Sequence, residues 1–259
     1  MRKSITIVVY HSIMNVSDIC TISPSAFYRQ IDFIRSNFSI IRLNEIKEAM
    51  VDQEFSRKVV VTFDDAFSDF YESACPLLDK FKIPSTVFVP TGFIGGFNDW
   101  DFPFNKCQKK SVMNANQLQE LHKTKLVDFG SHTIDHLRMS KLHVKEMRHQ
   151  VAGSKSTLDD LLSTSVTMFA YPYGRLRDFS PLTTRILSEE GYEIGVTAHW
   201  GTRNSIRDIL CLRRIYLRET DSESTIRSKI EGHFDRIPWL KEKVIFGMRA
   251  LRMSSRRPS

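Results

Sequence analysis

VVTFDDAFSD, residues 60–69, is the stretch on which both fold and chemistry turn. Val60, Val61, Thr62 and Phe63 are β-branched or aromatic and read as a strand. The strand ends in two adjacent carboxylates, Asp64 and Asp65. Neighbouring negative charges repel, and burying an unpaired one is costly. Something positive or something reactive therefore belongs at this strand end.

Outward from this stretch, apolar runs alternate with helical patterns along the whole chain. ITIVVY (5–10) reads as a first strand, and SPSAFYRQIDFIRSNF (23–38) as a helix with Phe27, Ile31 and Ile34 on one face. SIIRL and KVVVTF are strands; DFYESACPLLDKF is helical, with Pro76 expected to kink or interrupt it. PSTVFVP, LVDFG, SVTMFAYP, YEIGVTA and CLRRIYL complete the strands. Between them lie helices over NANQLQELHKTK, over HVKEMRHQVAGSKSTLDDLL and around 180–190. Asn114 and Gln117 form a capping-box pair. Residues 91–113 break every periodicity and read as a long aromatic loop. Strands alternating with helices imply parallel βαβ units, either a doubly wound sheet or a barrel.

The bulk numbers agree with one α/β domain. The chain has 259 residues, 41% hydrophobic and 26% charged, and single α/β barrels run to roughly 250 residues. Its four cysteines form no CxxC pair, which argues against a cysteine-zinc site and a disulfide framework. No apolar run approaches the ~20 residues of a spanning helix, and the N-terminal one is too short for a secretory core. A cytoplasmic location is expected. The net charge of +7 is concentrated after Trp239, where Lys241, Lys243, Arg249, Arg252, Arg256 and Arg257 face one acid, Glu242. The nearly neutral body speaks against nucleic acid. Leu240, Val244, Met248 and Leu251 share a helical face there. The tail is thus either an interfacial helix contacting an anionic membrane or a helix packed on the domain. The expected division is 1–238 for the catalytic domain and 239–259 for the basic tail.

In parallel α/β architectures ligands bind beyond the carboxyl ends of strands. Four such ends carry polar groups here: His11; Asp64 and Asp65; SHTIDH with His132 and His136; and AYPYG (170–174). Two imidazoles and a carboxylate form a common three-ligand shell for zinc or a similar divalent metal. With Asp65 as the carboxylate ligand, Asp64 is left to accept a proton from water activated beside it. Taken singly, the paired aspartates read as a helix cap, the two histidines as a surface pair and YPYG as a turn. Their shared position at strand ends favours one site.

TFDDAFSD, SHTIDH and FAYPYG, in this order, resemble the first three motifs of the polysaccharide deacetylases, carbohydrate esterase family four or the NodB-homology domain. YHSI, SPSAFYRQIDFI, IPSTVFVPTGFIG and LRRI resemble it too, so the likeness covers roughly residues 5–217. The resemblance implies a distorted (β/α)7 TIM-like barrel and metal-dependent removal of N- or O-acetyl groups from a saccharide substrate. It implies Asp64 as base, Asp65, His132 and His136 as metal ligands, and the Tyr173 backbone N–H as oxyanion donor. Zinc is the default metal, with cobalt, nickel or manganese as alternatives. Three departures stand out. Ala66 replaces the usual glycine, a modest change if no positive φ is needed there. Ala170 stands where an arginine often orients the base, and Arg214 is the candidate replacement. His199 and His233 lack the strand context of the usual acid. His11 is the candidate instead, because in the branch of the family that resembles deacetylases of biofilm poly-N-acetylglucosamine a first-strand histidine fills this role. A hydrolase of small cyclic amides and a non-catalytic carbohydrate-binding relative remain alternatives.

Overall fold

The computed structural model describes residues 5–16, 18, 20–51, 57–101 and 108–235. Residues 239–259, on which the tail expectations fall, lie outside the described residues. Seven strands form the body: β1 (Ile5–Tyr10), β2 (Lys58–Phe63), β3 (Ser85–Val89), β4 (Val127–Ser131), β5 (Met168–Ala170), β6 (Ile194–Trp200) and β7 (Leu212–Tyr216). Each pairs in parallel with the next, and β1 pairs with both β2 and β7, so the sheet closes on itself. The fold is a seven-stranded parallel barrel. Seven α-helices surround it among the described residues: α1 (Pro24–Asn37), α2 (Ile46–Val51), α3 (Cys75–Lys80), α4 (Ala115–Lys123), α5 (Val144–Leu162), α6 (Pro181–Glu189) and α7 (Glu223–Ile230).

Strands covered on both faces read as continuous apolar runs, and β1 and β3 are buried at every position. Alternation still decides which way each side chain points. Ile5, Ile7, Val60, Phe88, Met168, Ile194 and Leu212 pack inside the barrel. Val8, Tyr10, Val59, Val61, Phe63, Val87 and Val89 pack outward under the helices. The interior is tight: a Cβ on Gly130 would lie 2.5 Å from the Phe88 ring. Continuing the inward parity past the strand ends places His11 and Asp64 at the barrel mouth. On β7 the same parity points Arg214 inward.

Local expectations were met in part. Pro76 interrupts the regular α-helix as expected: the helical run 68–80 changes pitch just ahead of it, and Pro76 then sits in the first turn of α3, where its missing N–H is harmless. The preceding Phe70–Ala74 is a π-turn. Only Ser39–Ile40 of SIIRL is strand. The capping box is present, with Asn114 Oδ1 accepting from the Gln117 N–H and Gln117 Oε1 accepting from the Asn114 N–H. Helices α2 and α7 were not apparent in the sequence pattern.

Candidate active site

The register of β1 on β2 pairs Tyr10 with Phe63, and the Asp64 N–H donates to the Tyr10 carbonyl. The next residues along, His11 and Asp64, are therefore lateral neighbours, with Nε2 3.9 Å from Oδ2. Across the barrel, Arg214 meets Asp64 with a two-pronged contact. Nη1 donates to Oδ1 at 2.7 Å and Nη2 to Oδ2 at 2.6 Å. Arg214 Nε donates to the Thr197 carbonyl at 2.8 Å, and Nη1 also reaches Thr62 Oγ1. Both partners are buried. Burial opposes the charge on Asp64, but Arg214, followed by His132 and His11, overrides it and holds the carboxyl well below its ordinary range. Arg214, the candidate to orient Asp64 in the absence of an arginine at position 170, is thus in contact with it.

Asp65, His132 and His136 converge next to this pair, all buried, with their ligand atoms within 4.8 Å of one another. Asp65 Oδ1 is 3.6 Å from His132 Nε2 and 3.4 Å from His136 Nε2. Donors each about 2.1 Å from one tetrahedral cation lie about 3.4 Å apart, so the set fits a divalent metal. The Ala170 carbonyl accepts from His132 Nδ1 at 2.7 Å. That contact puts the ring proton on Nδ1 and leaves the Nε2 lone pair facing the cluster. His136 Nδ1 is buried without a hydrogen-bond partner. Its ring is held instead by Trp100 and Tyr173, with centroids at 4.8 and 4.9 Å. Burial lowers the pKa of both histidines, that of His136 strongly. Neutral imidazoles are the form a metal needs.

The backbone around the cluster is bent into an unfavourable region. Of eight non-glycine residues at positive φ among those described, Asp65, Ala66, Thr133, His136 and Tyr173 lie in the three motifs. Each costs about 1–2 kcal/mol, which sharp turns require if consecutive residues are to face one mouth. Ala66, at φ 50°, does adopt the left-handed conformation. The condition for a modest change, a backbone without positive φ, is therefore not met, and the alanine that stands in place of glycine is strained.

His11 is one-third exposed at the rim. Burial lowers its pKa to about 4 against the pull of Asp64, with Arg214 adding to the lowering. Beside the metal set is an open pocket of about 520 Å³ lined by Phe93, Trp100, His136, Leu137, Arg138 and Tyr173, among others. Phe93 packs on Trp100 at 4.6 Å, and the Arg138 guanidinium sits 3.7 Å from the Tyr173 ring centroid. The aromatic loop therefore contributes wall to the pocket through Phe93 and Trp100. Phe67 beneath Trp100 belongs to the core.

Residues 52–195, just over half the chain, match the family described as polysaccharide deacetylase. The chain belongs to the polysaccharide deacetylase family. The Bacillus subtilis protein YxkH is 26% identical over 229 residues, 87% of this chain and 76% of its own. A poly-β-1,6-N-acetyl-D-glucosamine N-deacetylase of Staphylococcus aureus is 30% identical over 170 residues, covering 61% of this chain and 55% of that enzyme. Among solved structures, IcaB from Ammonifex degensii superposes with a TM-score of 0.75 at 24% identity, covering 89% of this chain and 98% of its own. The deacetylase PplD of Streptococcus pyogenes gives 0.73 at 24%, covering 88% and 98%. At those identities the superpositions speak for the fold. Fold, family and the buried Asp-His-His set together make this polysaccharide deacetylase a metal-dependent hydrolase of acetylated sugars.

His199 lies at the end of β6 and His233 beyond α7. Neither belongs to the buried ligand set. The pairing of Arg214 with Asp64 was legible only as a possibility. The parity of CLRRIYL, with Leu212 inward, was the signal that distinguishes Arg214 from exposed Arg213.

Proposed function

We propose that the chain hydrolyses the N-acetyl group of a sugar unit within a saccharide chain, consuming water and releasing acetate and the free amine. The observation that carries this reading is the ionised Asp64, clamped by Arg214, beside the Asp65–His132–His136 set. A divalent cation held by those three ligands, zinc by default, would polarise the amide carbonyl and lower the pKa of the attacking water.

Asp64 takes the water's proton. Arg214 fixes both carboxylate oxygens, so the base presents one orientation to the mouth. His11 rests neutral at pH 7, since its pKa is held near 4. It accepts the proton from Asp64, 3.9 Å away, and passes it to the departing nitrogen. Tyr173 supplies its backbone N–H to the developing oxyanion. The pocket's aromatic walls, Phe93, Trp100 and Tyr173, suit the apolar faces of a pyranose. Its open shape suits a unit within a chain better than a small cyclic amide.

Acetate release from N-acetylglucosamine oligomers, compared with O-acetylated xylan, tests the linkage. Faster release from the O-acetyl substrate would overturn the N-acetyl assignment. Contact of residues 239–259 with an anionic membrane, and with it a cytoplasmic site of action on a lipid-linked saccharide, is a separate proposal supported by the tail's charge. Equal flotation with anionic vesicles after removal of the tail would remove it.

A further inference from the structure

The metal-ligand loop 132–136 turns through two residues at positive φ, Thr133 and His136, so its shape needs external support. Its backbone is held group by group. The Thr133 N–H donates to Ser131 Oγ, and the His136 N–H to Thr133 Oγ1. The Thr133 and Ile134 carbonyls accept from the Thr91 and Gly92 N–H groups at 3.0 Å each. The His132 N–H donates to the Val89 carbonyl at 2.9 Å, and the two remaining donors, the N–H groups of Ile134 and Asp135, both point at one side chain outside the loop. Gln150 Oε1 accepts them at 3.1 and 2.9 Å. Gln150 Nε2 donates to Asp135 Oδ2 at 2.6 Å. Gln150 is buried on α5, on a face otherwise made of Met147, Val151, Ser154 and Leu158.

From this geometry we infer that Gln150 is a positioning residue for the metal site, setting the separation of His132 and His136 from helix α5. It rests on the metal reading of Asp65, His132 and His136. Three features support it. A glutamine on the core face of an amphipathic helix is disfavoured unless its polar atoms are satisfied, and here all three contacts go to the ligand loop. The partner set fixes the amide's orientation: the oxygen faces two donors and the nitrogen faces a carboxylate. Helix α5 is also shaped to receive the loop, because a Cβ on Gly153 would lie 2.7 Å from Ile134 Cδ1. The loop is thus gripped by α5 on one side and by the turn after β3 on the other.

Gln150 touches neither the ligand atoms nor the pocket, so its effect must pass through ligand geometry. Loss of groups that orient metal ligands typically weakens metal binding by about 10–100-fold. Gln150→Ala removes the acceptor of two part-buried N–H groups of the ligand loop, and the affinity for Zn²⁺ should fall within that range. Gln150→Glu keeps the acceptor but sets a carboxylate against Asp135, and should also weaken binding. The double variant Gln150→Glu with Asp135→Asn reverses the polarity of that one contact and should recover affinity to within about threefold of the unaltered chain.

The test is Zn²⁺ affinity of the full chain by competition with a chromophoric chelator, alongside the melting temperature of each metal-free variant. Weakened binding in both single variants, restored in the double variant, supports the inference. Unchanged affinity in Gln150→Ala, in a chain that otherwise binds one equivalent, overturns it and leaves the metal site standing. A fall in affinity matched by metal-free unfolding, with no recovery in the double variant, assigns Gln150 to general stability and overturns the positioning role. Failure of the unaltered chain to bind Zn²⁺, Co²⁺, Ni²⁺ or Mn²⁺ removes both the metal site and the inference.

Discussion

Replacing Arg214 by methionine keeps much of the side-chain volume and removes the charge. The structure gives that residue two contacts on Asp64 at 2.6–2.7 Å, in a place where both groups are buried. Breaking a buried pair by removing one partner costs about 3–5 kcal/mol. The cost falls on Asp64, which stays buried without its counter-charge. Its pKa, now held well below the ordinary value, would rise above about 3.9, because desolvation then dominates. The sign follows from linkage. A depressed carboxyl stabilises the fold fully above its unfolded pKa, and that stability is lost as pH falls through the folded value. The stability gap between the native chain and Arg214→Met should therefore be widest at neutral pH and shrink in acid. Activity should drop by about 10²–10³-fold, within the usual contribution of a positioned base. The acid limb of kcat/KM should move to higher pH. Arg214→Lys, a single point donor instead of a fork, should fall between the two. The assay is acetate release from an N-acetylglucosamine oligomer across pH 4–9 (about the range from the ordinary carboxylate pKa to above that of histidine), with urea unfolding at several pH values. A variant within threefold of native kcat/KM, with its acid limb unmoved, would refute the role given to Arg214.

Three further outcomes are expected. Asp65→Ala and His132→Ala should each lower bound Zn²⁺ to below one-tenth of an equivalent by elemental analysis and remove acetate release; retention of stoichiometric metal would exclude that residue as a ligand. His11→Ala should slow N-acetyl hydrolysis about 10²-fold yet spare an aryl acetate within a few-fold, since a phenolate leaves without a proton. Equal losses on both substrates would remove His11 as the acid. Trp100→Ala strips one of the two rings holding His136 and part of the pocket wall. It should raise KM several-fold and weaken Zn²⁺ binding together, and an unchanged pair of constants would show that the indole supports neither.

The strand ends were readable because the chemistry there contradicts its surroundings. Asp64 and Asp65 after KVVVTF, and two histidines after LVDFG, are expensive unless they share a purpose. Barrel closure was not readable from alternation alone, since pairing of β1 with both β2 and β7 is a long-range choice. Ala66 concealed its left-handed backbone, because alanine usually signals the opposite. Pro76 was readable as an interruption of its helix, but the π-helical form of the turn ahead of it has no clear local signature. Gln150 read as one more position of an amphipathic helix; only its place on the Met147–Val151–Leu158 face hinted at a buried polar duty. What escaped the sequence was mostly support: residues whose roles depend on partners from distant strands and helices.

The most direct measurement is acetate release from N-acetylglucosamine oligomers by chain containing one equivalent of Zn²⁺, before and after dialysis against chelator, with Asp64→Asn as the blank. Release should stop on metal removal, return when the metal is restored, and be lower by at least about 10²-fold in the variant. Release that persists without metal, or that survives in Asp64→Asn, would contradict metal-dependent hydrolysis with Asp64 as base.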